Sequence, residues 1–295
     1  MSQGQPCQHG VQCLPRPRLR EDCWRLDRIC CDALRAEAMA WPKPGLVTPV
    51  DSGSHGDMTI ATLLASIDAL RGCFAALVLA GARTADFTLL AAVGRDAEGR
   101  MLRATGGVNT HRGAVFNLGL LVAAAARRHL DASLKGLSCG EVVARLWGAA
   151  IEAARPDVPA THGDALFAQR RVGGARAEAS GGFPAVYSIG LPALRRLRAC
   201  GLAHDTVLVG VLMTLTEFLA DTNLLWRGGA VGLAHAQRAA GEFNAAGGVQ
   251  AAGWREKLID MHADFVARNL SPGGAADLVA ASCVAQALEY FRFSR

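Results

Sequence analysis

The sequence predicts an all-α protein: a single compact multi-helix domain, with long buried central helices and glycine-rich site loops between them. The chain has 295 residues, 51% hydrophobic and only 6% aromatic, and Ala supplies most of the apolar share. This composition favours close-packed helices over sheets. No segment alternates apolar and polar residues for long enough to indicate a strand. We expect residues 21–295 to form one catalytic domain behind a disordered or frayed leader, residues 1–20.

Helical spacing of apolar residues gives the elements in order. Pro42 and Pro44 end the first helix, and Ser138 with Glu141 forms the capping box of the fourth. Residues 156–182 are the least regular part and are either a linker or a site loop. The predicted helices cover residues 22–40, 57–78, 111–129, 138–154, 191–200, 205–220, 230–240, 254–269 and 275–291.

Charge, cysteine content and missing motifs exclude several function classes. The net charge of +5 comes from arginines scattered among acids, which argues against nucleic acid binding. The longest apolar stretches, 73–82 and 207–215, are shorter than the roughly 18 residues of a membrane span. No signal peptide is recognisable, so we expect reduced cysteines, a cytoplasmic location and no membrane contact. The chain carries neither a P-loop nor a Rossmann fingerprint, and zinc-hydrolase and serine-hydrolase motifs are absent as well.

Four breaks between predicted helices combine glycines with an acid or amide and, in most cases, a cation. Helix N-termini at such breaks attract anions, so the pattern predicts a polyphosphate site assembled from distant loops. Candidate ligands of Mg²⁺ are the carboxylates of Asp57, Asp221 and Asp277. Candidates to neutralise phosphate charge are Lys43, Arg112 and Arg227. The four segments are KPGLVTPVDSGSHGDM, TGGVNTHRG, DTNLLWRGG and SPGGAADL.

Each of these features also has a purely structural interpretation. Four polar residues can be helix caps: Asp57, Thr105, Thr110 and Ser271. Two histidines can be hydrogen-bonded structural residues: His55 and His111. Paired glycines can serve tight turns: those at Gly106, Gly228 and Gly273. Arg176 and Glu178 can form an ion pair that braces a loop. Their joint occurrence favours a functional site, because a cap requires neither an adjacent histidine nor paired glycines.

Seven strings in this order resemble the triphosphoribosyl-dephospho-CoA synthase family. The likeness extends over about residues 37–281, and PVDSGSH together with the short, single-function chain is more similar to the malonate decarboxylase branch than to the citrate lyase branch. The strings are PKPGLV, GSHGDM, TGGVNTHRG, GGARAEASGGFP, GLPALR, DTNLLWRGG and SPGGAADL.

This resemblance implies an all-α fold and a reaction between ATP and 3'-dephospho-CoA. The expected cofactor is Mg²⁺, on the candidate carboxylates named above. The acceptor's 2'-hydroxyl would attack the anomeric carbon of the ATP ribose, and adenine would leave while the triphosphate stays on the transferred sugar. The product would be the precursor of a prosthetic group, and a downstream carrier-protein transferase of the decarboxylase system would use it. A homo-oligomer is compatible with this role.

The chemistry of this step suggests roles for individual residues, as hypotheses. Asp57 or Asp221 would stabilise positive charge on the ribose. His55 or His111 would protonate adenine or accept the hydroxyl proton, since a histidine pKa lies near the operating pH. A mobile segment, residues 173–182, would keep water out. Expected nucleotide and phosphate contacts are Lys43, Gly106, Gly107, Asn109, Thr110, Arg112, Arg176, Glu178, Asn223, Arg227, Ser271, Gly273 and Gly274.

Two other functions fit the same pattern of residues. One is a magnesium-dependent hydrolase of ADP-ribose-like substrates, in which water replaces the acceptor hydroxyl. The other is a helical adaptor that binds a nucleotide without chemistry.

Overall fold

The computed structural model describes residues 17–154 and 173–294. It is 75% helical, with twelve α-helices and no strand in this described part, so the predicted all-α fold is confirmed. In chain order, α1 to α12 are Pro17–Met39, Ile60–Ala69, Cys73–Arg83, Phe87–Ala104, Arg112–Leu130, Cys139–Ala153, Gly174–Ser180, Leu191–Ala199, His204–Phe218, Thr222–Ala245, Trp254–Ala267 and Gly273–Tyr290.

The core is built around α5, which packs against α3, α6 and α12. From Ala114 to Ala126 nearly every side chain of α5 is buried. Small residues allow this: a Cβ at Gly81 of α3 would lie 2.4 Å from the carbonyl oxygen of Ala123. The abundance of alanine and glycine therefore reflects helices packed backbone to backbone.

The predicted continuous helix over 57–78 is wrong, because the structure divides it into α2 and α3, which meet at 41°. Gly72 adopts a positive φ of 83° at the bend, and the buried carboxylate of Asp27 caps the helix that follows. Asp27 accepts hydrogen bonds from the backbone N–H groups of Gly72, Phe74 and Ala75 at 2.9–3.2 Å. The apolar spacing continues across the bend, so periodicity alone does not reveal it.

Other boundaries differ more modestly from the prediction. No helix was predicted over 87–104, where α4 lies, and α10 is longer than expected, with a kink at Gly229 (φ 61°). Part of the expected mobile segment is helical: residues 174–180 form α7. Residues 155–172, and residues 1–16 of the expected leader, lie outside the described residues.

Among the described helices none is by itself long and apolar enough to cross a bilayer, although two helix pairs bent at a short break reach that length and composition jointly.

We expect Asp27→Ala to lower the free energy of unfolding by about 2–3 kcal/mol, because the N–H groups at the start of α3 lose their acceptor in a buried environment. Urea denaturation measures this. Asp32→Ala, exposed on the same helix, is the matched control and should change stability by less than about 0.5 kcal/mol. Equal midpoints for both variants would contradict the assigned role of Asp27.

Candidate active site

One cleft of about 1480 Å³ collects residues from all four predicted segments. It is bordered by the loops that precede α2, α5, α10 and α12, and by α7. Every predicted site residue lines it except Gly106 and Gly107. His55, His111, Asp221 and Asp277, which lie in different segments of the chain, therefore share one cavity.

Gly106 and Gly107 lie instead in the turn that ends α4. Both are exposed, and both have a positive φ, 66° and 92°. Gly107 donates its backbone N–H to the carbonyl oxygen of Leu102 at 2.7 Å. The expected phosphate contact at these two glycines is therefore not supported, and the turn interpretation explains them.

The capping interpretation fails for the four residues it was offered for. The N-cap of α2 is Thr59 rather than Asp57. Thr105 follows the C-terminus of α4. Thr110 donates to the hydroxyl of Ser66, and Ser271 contacts His55. Asp57, Thr110 and Ser271 line the cleft. Thr105 instead donates its hydroxyl to the carbonyl oxygens of Met101 and Val108, at the C-terminus of α4.

Asp221, by contrast, is a helix cap: it is the N-cap of α10. Its Oδ1 accepts from the N–H groups of Asn223 and Leu224 at 2.8 and 3.3 Å, and its Oδ2 accepts from the N–H of Ala275 at 2.8 Å. The buried carboxylate thus joins the N-termini of α10 and α12. Burial raises the pKa of Asp221, and the same N–H groups act in the opposite direction. These bonds occupy most of its acceptor positions, so Asp221 is a weaker candidate metal ligand than the sequence predicted.

A buried ion pair forms part of the cleft floor. Lys43 donates from Nζ to the carbonyl oxygen and to Oε1 of Glu37, both at 2.7 Å. Asp277 lies close to this pair, and its pKa is raised well above its usual value by burial and by the charges of Glu37 and Asp221. The floor therefore holds more carboxylates than its single lysine can neutralise.

The oxygen atoms near Asp277 suit a hard cation. A Cβ at Gly113 would lie 2.0 Å from Oδ2 of Asp277, so glycine is required for the carboxylate to reach this position. One helical turn further along the same face of α5, Oδ1 of Asn117 is buried without a hydrogen-bond partner among the described residues. Carboxylate and amide oxygens are typical Mg²⁺ ligands, and one or two carboxylates suffice. No three Asp, Glu, His or Cys side chains of the described segments group as a metal site, so Asp57, Asp221 and Asp277 do not form a joint ligand set.

Both ring nitrogens of His55 are engaged. Arg227 donates from Nη2 to Nδ1 at 3.0 Å, and Nε2 lies 2.9 Å from Oγ of Ser271. Because an arginine can only donate, Nδ1 carries no proton and Nε2 donates to the serine. Burial and the charge of Arg227 lower the pKa of His55, and Asp57, 3.7 Å away, opposes that shift. His55 therefore holds Arg227 and Ser271 in place as a neutral ring.

His111 has one ring nitrogen engaged. Its Nδ1 lies 2.8 Å from Oγ of Ser66, and burial together with the charge of Lys43 lowers the pKa of His111 to about 4. This differs from the expectation of a pKa near the operating pH, because the sequence does not reveal how deeply the ring is enclosed. At neutral pH His111 is an uncharged ring whose Nε2 is the nitrogen left for the cleft.

One cationic side chain of the cleft wall is held by an acid that the sequence did not single out. Arg112 pairs with Glu98 at 3.1 Å. On α7, Arg176 lies 3.5 Å from the carbonyl oxygen of Ile151, and Glu178 accepts the N–H of Ala185 at 3.1 Å. Sequence reasoning missed Glu98 and Asn117. Asn117 left a signal, as a lone uncharged polar residue in an otherwise apolar stretch of α5.

The model of the ATP:dephospho-CoA triphosphoribosyl transferase family matches residues 23–294. The chain belongs to this family. The family identified from the motifs is thus confirmed, together with its class, a transferase. The chain is 39% identical to a protein of Pseudomonas fluorescens over 93% of this chain and 94% of the relative, and 39% identical to one of Azotobacter vinelandii over 95% of each. Both relatives are named probable 2-(5''-triphosphoribosyl)-3'-dephosphocoenzyme-A synthase. No solved structure matches the chain.

We expect Gly113→Ala to displace the carboxylate of Asp277 and to lower kcat by about 100-fold or more, in the range found when a group that stabilises charge is lost. Steady-state kinetics measures this. Gly94→Ala is the matched control, because a Cβ at this helical glycine meets no atom within 4 Å. It should keep wild-type activity and gain about 0.5–1 kcal/mol of stability. Wild-type kinetics for Gly113→Ala would contradict the close contact.

The depressed pKa of His111 predicts a pH dependence of stability. Its pKa is about 4 in the folded chain and 6.5 in the unfolded chain, so only the unfolded state binds a proton between these values. Stability is therefore lost as the pH falls from 6.5 to 4, by about 3 kcal/mol from this residue. Denaturation across this range should show a shallower loss for His111→Gln than for the wild type. His129→Gln, at an exposed position, should follow the wild type; parallel curves for His111→Gln and wild type would refute the assignment.

Proposed function

We propose that this transferase forms 2'-(5''-triphosphoribosyl)-3'-dephospho-CoA in the cleft. The 2'-oxygen of 3'-dephospho-CoA bonds to C1' of the ATP ribose, and the bond from C1' to N9 of adenine breaks. Adenine leaves with the bonding electrons and receives a proton to balance the one lost by the hydroxyl. The observation that carries the proposal is the convergence of the motif segments on one cavity.

The size of the cavity supports a reaction between two nucleotides. Pockets for a single small ligand have volumes of roughly 300–1,000 Å³, whereas this cleft measures about 1480 Å³. It can therefore hold ATP and 3'-dephospho-CoA at once. Simultaneous binding favours transfer to the acceptor hydroxyl over transfer to water.

Fixed cations would bind the triphosphate. Arg227 donates from Nη1 to the carbonyl oxygen of Ser54 at 2.8 Å and to Oδ1 of Asn269 at 2.6 Å, and Arg112 is held by Glu98. Since these guanidinium groups are already oriented, binding an anion costs little side-chain entropy. The N-terminus of α5 would add backbone N–H groups that favour negative charge.

Magnesium would bind at the cleft floor. Asp277 and the amide oxygen of Asn117 are its best-placed ligands, and Asn109 and Asn223 line the same cleft. When bound, the ion would neutralise triphosphate charge and orient the chain of phosphates.

The remaining polar side chains would act at the sugar and the base. Asp57, whose side chain is 61% exposed, is free of helix capping and would stabilise positive charge that develops on the ribose. His111 would donate a hydrogen bond from Nε2 to a nitrogen of the leaving adenine. His55, engaged on both sides, would position Arg227 and Ser271. His55 and His111, which the sequence could not tell apart, thus receive different proposed roles.

We also propose the malonate decarboxylase branch, supported by the PVDSGSH string. The product would then pass to a carrier-protein transferase of that system. A cytoplasmic location and a homo-oligomer remain predictions.

Incubation with ATP, Mg²⁺ and 3'-dephospho-CoA should release one adenine for each acceptor consumed, because the triphosphate moves with the sugar. Chromatography with mass detection measures both. The matched control is an acceptor without its 2'-hydroxyl, which should give no product. Release of ADP or AMP would overturn the proposal, free triphosphoribose formed without an acceptor would indicate the hydrolase, and binding without consumption of ATP would indicate the adaptor.

A further inference from the structure

We propose that Ser66, which lies on α2 outside every motif segment, is a positioning residue that sets the tautomer of His111. A relay of two hydroxyl groups, from Thr110 through Ser66 to Nδ1 of His111, would keep the ring proton on Nε2, where it faces the cleft. The relay itself stands on the hydrogen bonds described below, whereas its importance for turnover rests on the role proposed above for His111.

The relay consists of two short hydrogen bonds, of which the one between Ser66 and His111 is buried. Thr110 donates from Oγ1 to Oγ of Ser66 at 2.7 Å, and this oxygen lies 2.8 Å from Nδ1 of His111. Ser66 is 0% exposed and His111 is 4% exposed. Thr110 is half-buried at the cleft wall. Water does not compete for the bond between Ser66 and His111, so the proton of that bond is directed by the protein alone.

The direction of the second bond follows from the first. Ser66 accepts the proton of Thr110, so its own hydroxyl proton must go elsewhere. Buried serines and threonines in helices usually donate to the carbonyl oxygen four residues earlier, as Thr216 and Ser282 do in this structure. Ser66 makes no such bond within the described residues, and Nδ1 of His111 is the acceptor beside it. Nδ1 must then be unprotonated, which leaves the ring proton on Nε2.

This tautomer suits a ring that stays uncharged beside Lys43. A proton on Nε2 can donate to the nitrogen that gains electrons as adenine leaves. The opposite tautomer would present a lone pair to the same nitrogen and repel it. The backbone N–H of His111 also lies 3.2 Å from Sδ of Met101, so the residue is anchored on its main chain as well as on its ring.

Nitrogen-15 NMR of histidine side chains tests the relay directly, because protonated and unprotonated ring nitrogens have distinct chemical shifts. The wild type should show His111 protonated at Nε2, with His111→Gln giving the assignment. Ser66→Ala should give a mixture of tautomers, and Ser66→Thr, which keeps the hydroxyl, should restore the single form. Ser282→Ala removes another buried helical hydroxyl away from the cleft and is the matched control.

Kinetics gives the second measurement. Ser66→Ala should lower kcat by about 10- to 100-fold while changing KM for ATP by less than about twofold, as expected when a donor acts in the transition state; Ser66→Thr should recover most of kcat. A wild-type His111 protonated at Nδ1 would overturn the relay, and this result requires no variant to fold. The relay would also be overturned if the Ser66→Ala variant kept His111 protonated only at Nε2 and kept the kcat of the wild type. Failure of the wild type to release adenine would reject the proposed function and leave the NMR result to decide the relay alone.

Discussion

The carboxylate of Asp221 holds together the two halves of the cleft. It is buried, and it accepts N–H groups from the first turns of α10 and α12, which are separated by about fifty residues of chain. Two helix N-termini are thereby fixed side by side, and each brings its own polar residues: Asn223 and Arg227 from one, Ser271 and Asp277 from the other. An aspartate suits this position because each helix N-terminus carries partial positive charge and unpaired N–H donors. The relative position of the polar side chains on this wall depends on that pairing.

The electrostatics of the cleft are arranged for occupants that carry charge. Acids outnumber cations on the floor, where Glu37 already pairs with Lys43 and Asp277 remains, while arginines dominate the wall. A magnesium ion would complement the floor, and a triphosphate would complement the wall. Burial keeps both cleft histidines neutral, and the negative charge of a bound triphosphate would raise the pKa values that Lys43 and Arg227 depress.

The sequence predicted the helical class and most helix positions, and nearly all of the site residues that it singled out line the cleft. It did so because apolar spacing reports burial, and because glycines beside polar residues mark places where a backbone must approach a side chain. Gly113, Gly273 and Gly274 are such places, since a Cβ at each would meet Asp277, Asn223 or Asp221 at 3.0 Å or less. Gly106 and Gly107 look the same in the sequence but serve a turn. Only three-dimensional contacts separate the two cases. The sequence likewise does not predict that Asp221 joins the N-termini of α10 and α12, because Ala275, its partner in α12, is distant in sequence.

The bend at Gly72 has a geometric effect that reaches the cleft. Ser66 precedes this glycine by six residues, about 9 Å along a helix axis at 1.5 Å per residue. If α2 continued straight from α3 instead of turning by 41°, Ser66 would be displaced by about 6 Å, twice the length of a hydrogen bond. The hydroxyl would then lie beyond reach of the imidazole. Asp27, which caps α3 at this bend, therefore helps to fix the position of Ser66 relative to the ring of His111.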